Sequence, residues 1–124
     1  MTEREKEFFV GAWAERLEEE LPPEIKVERP SPKTLRTRGS GRFAGHSSST
    51  AGFPSLPLPR RLLVQMFFEA ELDGLQHQMS YATGAPWPDE GAKRRVRVGG
   101  GQVHLEFLDS SGRVLRALRP IPYE

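Results

Sequence analysis

Cysteine is absent from this chain of 124 residues, which excludes disulfide scaffolds, thiolate metal sites and thiol nucleophiles. No apolar run nears the roughly 18 residues that a membrane-spanning helix needs, so no membrane partner is expected. The acidic N-terminus lacks the basic and apolar regions of a signal peptide, and a cytoplasmic location is the expectation. Acidic residues are missing from 29–61, and both lysine and arginine from 62–92. Blocks 1–28, 29–61, 62–92 and 93–124 carry net charges of −5, +7, −5 and +4. The overall +1 conceals these alternating signs, and their distribution bears more on partners than the total does.

The composition is that of a soluble globular protein: 36% hydrophobic, 28% charged, mean hydropathy −0.56. The length suits a single domain over residues 1–124 that buries roughly two-thirds of its unfolded surface. Residues 3–21 read as a helix. Thr2 and Glu5 have capping-box spacing, and Phe9, Trp13 and Leu17 recur every four residues, with Phe8, Ala12 and Leu21 widening the stripe. Pro22 and Pro23 stop it, since neither donates the next hydrogen bond. Short strands are predicted at 24–29, where Ile25 and Val27 alternate with charged residues, and at 33–38.

Residues 61–82 satisfy two templates. Their Leu, Gln, Met, Glu and Ala favour a helix. Their alternation favours a hairpin, with Val64, Met66, Phe68, Ala70 and Leu72 facing Leu75, His77, Met79 and Tyr81 across an Asp73-Gly74 turn. Period is weighed above propensity here, predicting strands at 62–72 and 75–82. Further strands are predicted at 94–98, 102–108 and 113–119, joined through Gly99-Gly100 and through the Asp109–Gly112 turn. Val96 then faces Val103, Phe107 faces Val114, and Val103 faces Leu118. The predicted fold is α+β: an N-terminal helix on a mostly antiparallel, meandering sheet, with curling towards a barrel as a variant. The segment 103–118 resembles the closing hairpin of small β-sandwich modules through its alternation and Asp/Gly turn. The N-terminal helix departs from that architecture, and no family is implied.

The long loop 39–60 has glycines at 39, 41 and 45 but neither phosphate-loop spacing nor a following helix start. Its "GHSSS" lacks the second glycine of a nucleophile elbow. Pro54 to Pro57 forms a P-x-x-P stretch, read either as a recognition motif or as a covering segment that tucks Phe53, Leu56 and Leu58 onto the core. His46, His77 and His104 show no metal-ligand spacing. His77 reads as a core histidine, and His104 beside Glu106 has neither pocket nor nucleophile. No metal or cofactor is expected, and catalysis is not favoured.

Three functions remain as expectations. The first is a binding protein, acting on a protein partner or a second copy of itself through Phe53, Leu56, Leu63, Phe67, Trp87, Leu108 and Leu115. The second is RNA or single-stranded DNA binding through Arg36, Arg38, Arg42, Arg95, Arg97 and Arg119. The simpler reading has these arginines neutralising acidic residues of the same fold, and no aromatic interleaving supports base stacking. The third is a ligand-binding or catalytic cavity inside a curled sheet near His77 and Tyr81.

Overall fold

The structure, a computed structural model, describes residues 1–50 and 52–124. Ala51, inside the predicted loop, lies outside the described residues. The chain separates into two compact units, Met1–Ser55 and Leu56–Glu124. Each opens on a helix and continues into an antiparallel meander, so the α+β expectation holds with two helices and two open sheets, neither closed nor curled.

In the first unit, helix α1 (Glu3–Glu20) begins where predicted, and the Thr2 hydroxyl accepts the Glu5 N–H at 3.1 Å. Its buried face is Phe9, Val10, Trp13, Ala14, Arg16 and Leu17. Phe8, expected to widen that stripe, is 49% exposed. At about 100° per residue, the arc that contains Phe9 and Trp13 extends through Val10 and Ala14 rather than back through Phe8. Strands β1 (Ile25–Ser31) and β2 (Thr34–Gly39) pair with Val27 opposite Thr37 and Glu28 opposite Arg36, and α1 packs against both. The turn between them is tied to the start of α1 by an ion pair from Lys33 to Glu3. Hydrogen bonds from Lys33, then from Lys6, hold the Glu3 carboxyl below its ordinary range.

Part of the predicted 39–60 loop is a third strand, β3 (Ser47–Ser49), antiparallel to β2. Buried Thr37 shares a 2.8 Å hydroxyl hydrogen bond with Ser48 and accepts the Ser48 N–H, so its polar group is satisfied. Between β2 and β3 the chain folds back through a 3-10 turn, Gly41–Phe43. A Cβ at position 39 would fall 1.9 Å from the Phe43 carbonyl oxygen, and the Gly39 N–H donates to the His46 carbonyl at 2.6 Å. Only glycine admits so close a backbone approach. The glycines of this stretch therefore serve a tight structural return.

The second unit begins with the largest departure from expectation. Residues Arg60–Thr83 form one continuous helix, α2, in place of the predicted hairpin. Its buried residues, Leu63, Val64, Phe67, Phe68, Leu72, Leu75 and Met79, recur with helical spacing. Members of the supposed hairpin face fall outside that arc: Ala70 is exposed, and Tyr81 is 74% exposed. Propensity prevails because the true burial arc skips every second residue of the alternation. Gly84 ends the helix at φ +72°, with N–H groups of Gly84 and Ala85 bonded to carbonyls of the last turn. Arg61 and Arg60 anchor its start by donating to the Val98 and Tyr123 carbonyls at 2.6 and 2.7 Å.

Gly74 sits in the interior of α2 with open space where a Cβ would lie. Gly74→Ala is therefore expected to raise stability by about 0.5–1 kcal/mol, measured by urea unfolding. A hairpin turn needing a positive φ at this glycine would give the opposite sign.

Strands β4 (Lys93–Gly99), β5 (Gln102–Leu108) and β6 (Val114–Ala117) follow in order, and β7 (Ile121–Pro122) pairs with β5 beyond β6. Helix α2 packs against β4, and Val96, Val98, Val103, Leu105, Phe107, Leu118 and Ile121 are buried. The first hairpin turns one residue later than predicted, so Val98, not Val96, faces Val103. A slip of two positions keeps every side chain on its face. On the far side of β5, the register shifts between Phe107 and Leu108, so Phe107 faces Arg116 and Val114 faces Leu108. Val114, predicted to be core, is 49% exposed.

The β5–β6 turn is organised by Asp109. Its carboxylate accepts the Ser111 hydroxyl at 2.7 Å and the backbone N–H groups of Ser111 and Arg113 at 2.9 Å. These bonds, the Ser111 hydroxyl foremost, lower its pKa from 3.8 to about 2. Because the folded value is depressed, the turn gains from this carboxylate above the ordinary range and loses the gain as pH falls towards 2. An NMR titration of the Asp109 carboxyl is expected to show its midpoint near 2, moving part of the way up towards the ordinary range in Ser111→Ala, because the backbone donors at 111 and 113 remain.

Candidate functional site

The predicted arginine surface resolves into ion pairs. In the first unit, Arg36 and Arg38 reach Glu28 at 3.0 and 3.3 Å, and Arg42 reaches Glu24 at 3.1 Å while lying over the Phe43 ring. In the second, Arg95 lies directly across from Glu106 and Arg97 across from His104. Arg95 donates to Glu106 Oε1 through Nε and a terminal nitrogen at 3.2 and 3.0 Å, and Arg97 lies 3.8 Å away. Arg119, expected beside them, follows the end of β6 and lies in no strand. The neutralising carboxylates come from β1 and its approach and from β5, rather than from the acidic helix face. Asp73, from the supposed acidic hairpin, pairs with Arg94 at 3.1 Å.

Among the residues expected to meet a protein partner, Leu63 and Phe67 are buried at 6% and 2% exposure and contribute to the core instead. Phe53 is half-buried with its ring 6.1 Å from Phe9, inside the first unit. Leu56 is 49% exposed in the second. Leu108 lies opposite Val114 at one end of the β5–β6 pair, and Leu115 follows Val114 in β6. Leu108 is half-buried, and all four residues of β6 are exposed. Sequence alternation placed Val114 inside; the irregular register that turns it out had no visible marker.

Trp87 follows α2, not a strand, and its ring meets Phe107 edge-on at 5.0 Å, capping the end of the sheet. The Trp87 backbone N–H donates to the Ser80 hydroxyl at 3.0 Å. An open cleft of about 200 Å³ lies here, lined by His77, Ser80, Trp87 and Asp89 among others. It sits on the helix exterior rather than inside a curled sheet. His77 Nδ1 lies 2.9 Å from the Asp73 carbonyl oxygen, and the side chain is 79% exposed. His46 packs edge-on against Phe43, and His104 is half-buried opposite Arg97. The three histidines are therefore scattered. Among the described residues no cluster of three His, Asp or Glu has metal-holding geometry, and no helix is long and apolar enough to cross a membrane.

The open side of β6 is the feature with chemistry to offer. The strand is bonded by β5 on one side, and among the described residues no strand pairs with its other side. Such an edge presents backbone donors and acceptors in a row, ready to accept another strand. Comparison with protein-family models, with curated proteins and with solved structures found no match to this chain.

Proposed function

We propose that this protein is a non-catalytic binding module that acts through protein–protein contact on the β5–β6 side of its second unit. The observation that carries this reading is the exposure of an apolar edge strand: Val114 is 49% and Leu115 40% exposed, with Leu108 beside them. Contiguous exposed apolar groups beside unsatisfied strand backbone are what partner surfaces are made of. The pairing of Arg36, Arg42 and Arg95 with Glu28, Glu24 and Glu106 counts against the nucleic-acid alternative, because those guanidiniums are already engaged.

The test combines light scattering of the purified chain with cross-linking in its own cell extract. A dimer or a specific cross-linked partner is expected, weakened about tenfold or more by Leu115→Glu, since a buried charge there costs well over 1.4 kcal/mol. A monomer whose cross-linking profile is identical in wild type and Leu115→Glu would end this reading.

A further inference from the structure

We infer that the cleft between the last turns of α2 and residues 86–92 is a binding site for an organic cation, a guanidinium group above all, separate from the β5–β6 surface proposed above. The cleft, about 200 Å³, is lined by Gln76, His77, Ser80, Trp87 and Asp89 among others, all of them in the second unit. Sites for drug-sized molecules run to about 300–1,000 Å³, so this one suits a single head group. Hydrogen bonds already made decide what remains on offer. Gln76 Nε2 donates to the Ala92 carbonyl at 3.1 Å, which leaves Oε1 as an acceptor. His77 Nδ1 meets the Asp73 carbonyl oxygen at 2.9 Å, so that nitrogen carries the proton and Nε2 of the neutral ring accepts. The Asp89 carboxylate takes the Glu90 N–H at 2.8 Å on Oδ1 and has no cation partner among the described residues. Three acceptors, one of them charged, therefore border the cleft.

Those acceptors select the occupant. No lysine or arginine lines the cleft, and the segment 62–92 holds five acids without either. In the same unit Asp73, Glu106 and Asp109 each have an arginine, Arg94, Arg95 and Arg113 respectively, so Asp89 stands apart. An apolar ligand would strip water from the acceptors and leave them unmet, and an anion would be repelled by Asp89. A guanidinium presents five N–H donors in one plane, bonds a carboxylate through two of them and stacks on aromatic rings. Trp87, half-buried with its ring edge-on to Phe107, supplies the ring. Two sources carry such a group: the arginine side chain of a partner protein and a free small molecule.

The experiment is an NMR titration of the full chain with three probes: a blocked alanine–arginine–alanine peptide, its citrulline counterpart, and agmatine. The Trp87 indole N–H and the Gln76 side-chain amide are expected to shift with the arginine peptide, with agmatine or with both. The citrulline peptide has the same shape with a neutral head and is expected to bind about tenfold or more weakly. Asp89→Asn keeps the oxygen that accepts the Glu90 N–H and is expected to weaken the cationic probes by a similar factor. Asp89 is exposed, so this variant is expected to fold as the wild type does, checked by its unshifted amide spectrum elsewhere. Tighter binding of the peptide than of agmatine assigns the site to a partner's side chain, and binding of agmatine at least as tight assigns it to a small molecule. Absence of any shift at Trp87 and Gln76 up to millimolar probe overturns the inference. Equal binding of the arginine and citrulline peptides, or unchanged affinity in Asp89→Asn, overturns it as well.

Discussion

Trimming Phe68 to alanine is expected to remove about 3–5 kcal/mol of stability. Phe68 is fully buried in the middle of α2, with its ring 4.9 Å from that of Phe67 in an edge-on arrangement. Removing the ring deletes apolar burial and leaves a cavity that a helix held against β4 cannot close. Domains of ordinary stability have about 5–15 kcal/mol in total, so a large part of the margin disappears. Urea unfolding with hydrogen exchange of the α2 amides measures it. Phe68→Leu should lose much less, because most of the volume remains. Equal, small losses from both variants would mean that residue 68 is not in a packed core.

Trp13→Ala is expected to have a comparable effect on the first unit, about 3–5 kcal/mol. Trp13 is fully buried on the α1 face that also carries Phe9 and Leu17. That unit is a short sheet with one helix against it, and small cores have few other large side chains over which to spread a loss. Hydrogen exchange of the β1 and β2 amides is the direct readout. Their protection should collapse in Trp13→Ala and survive largely intact in Trp13→Phe.

Where the sequence was legible, several independent signals agreed. Helix α1 had a cap at Thr2, a stripe through Phe9, Trp13 and Leu17, and a stop at Pro22. The β4–β5 hairpin had alternating valines around glycines, and its error of register was even, so the faces survived. The α2 segment failed because Val64, Phe68, Leu72, Leu75 and Met79 fit both a hairpin face and a helical arc. The punctuation distinguished them: Pro59 precedes the segment, and Gly84 with Pro86 follows it. Those are helix boundary signals, with nothing equally strong at Asp73-Gly74 once glycine is tolerated at an open position. Of the candidate site, Leu108 is half-buried opposite Val114 and Leu115 is exposed in β6, while Trp87 meets Phe107 from the segment after α2, a placement that alternation does not address. Leu63 and Phe67 were assigned outward only because the hairpin required it. The pairing of Val114 with Leu108 follows a register shift after Phe107, a feature that side-chain alternation does not encode.

The two tryptophans of the chain fall one in each unit, Trp13 sealed from solvent and Trp87 half in contact with it. Indole emission shifts to the blue as its surroundings become less polar, so the native spectrum is a sum of two separable components. Phenylalanine at position 87 would leave emission from the first unit alone, and phenylalanine at 13 would isolate the second. Each half of the molecule thus carries its own optical reporter.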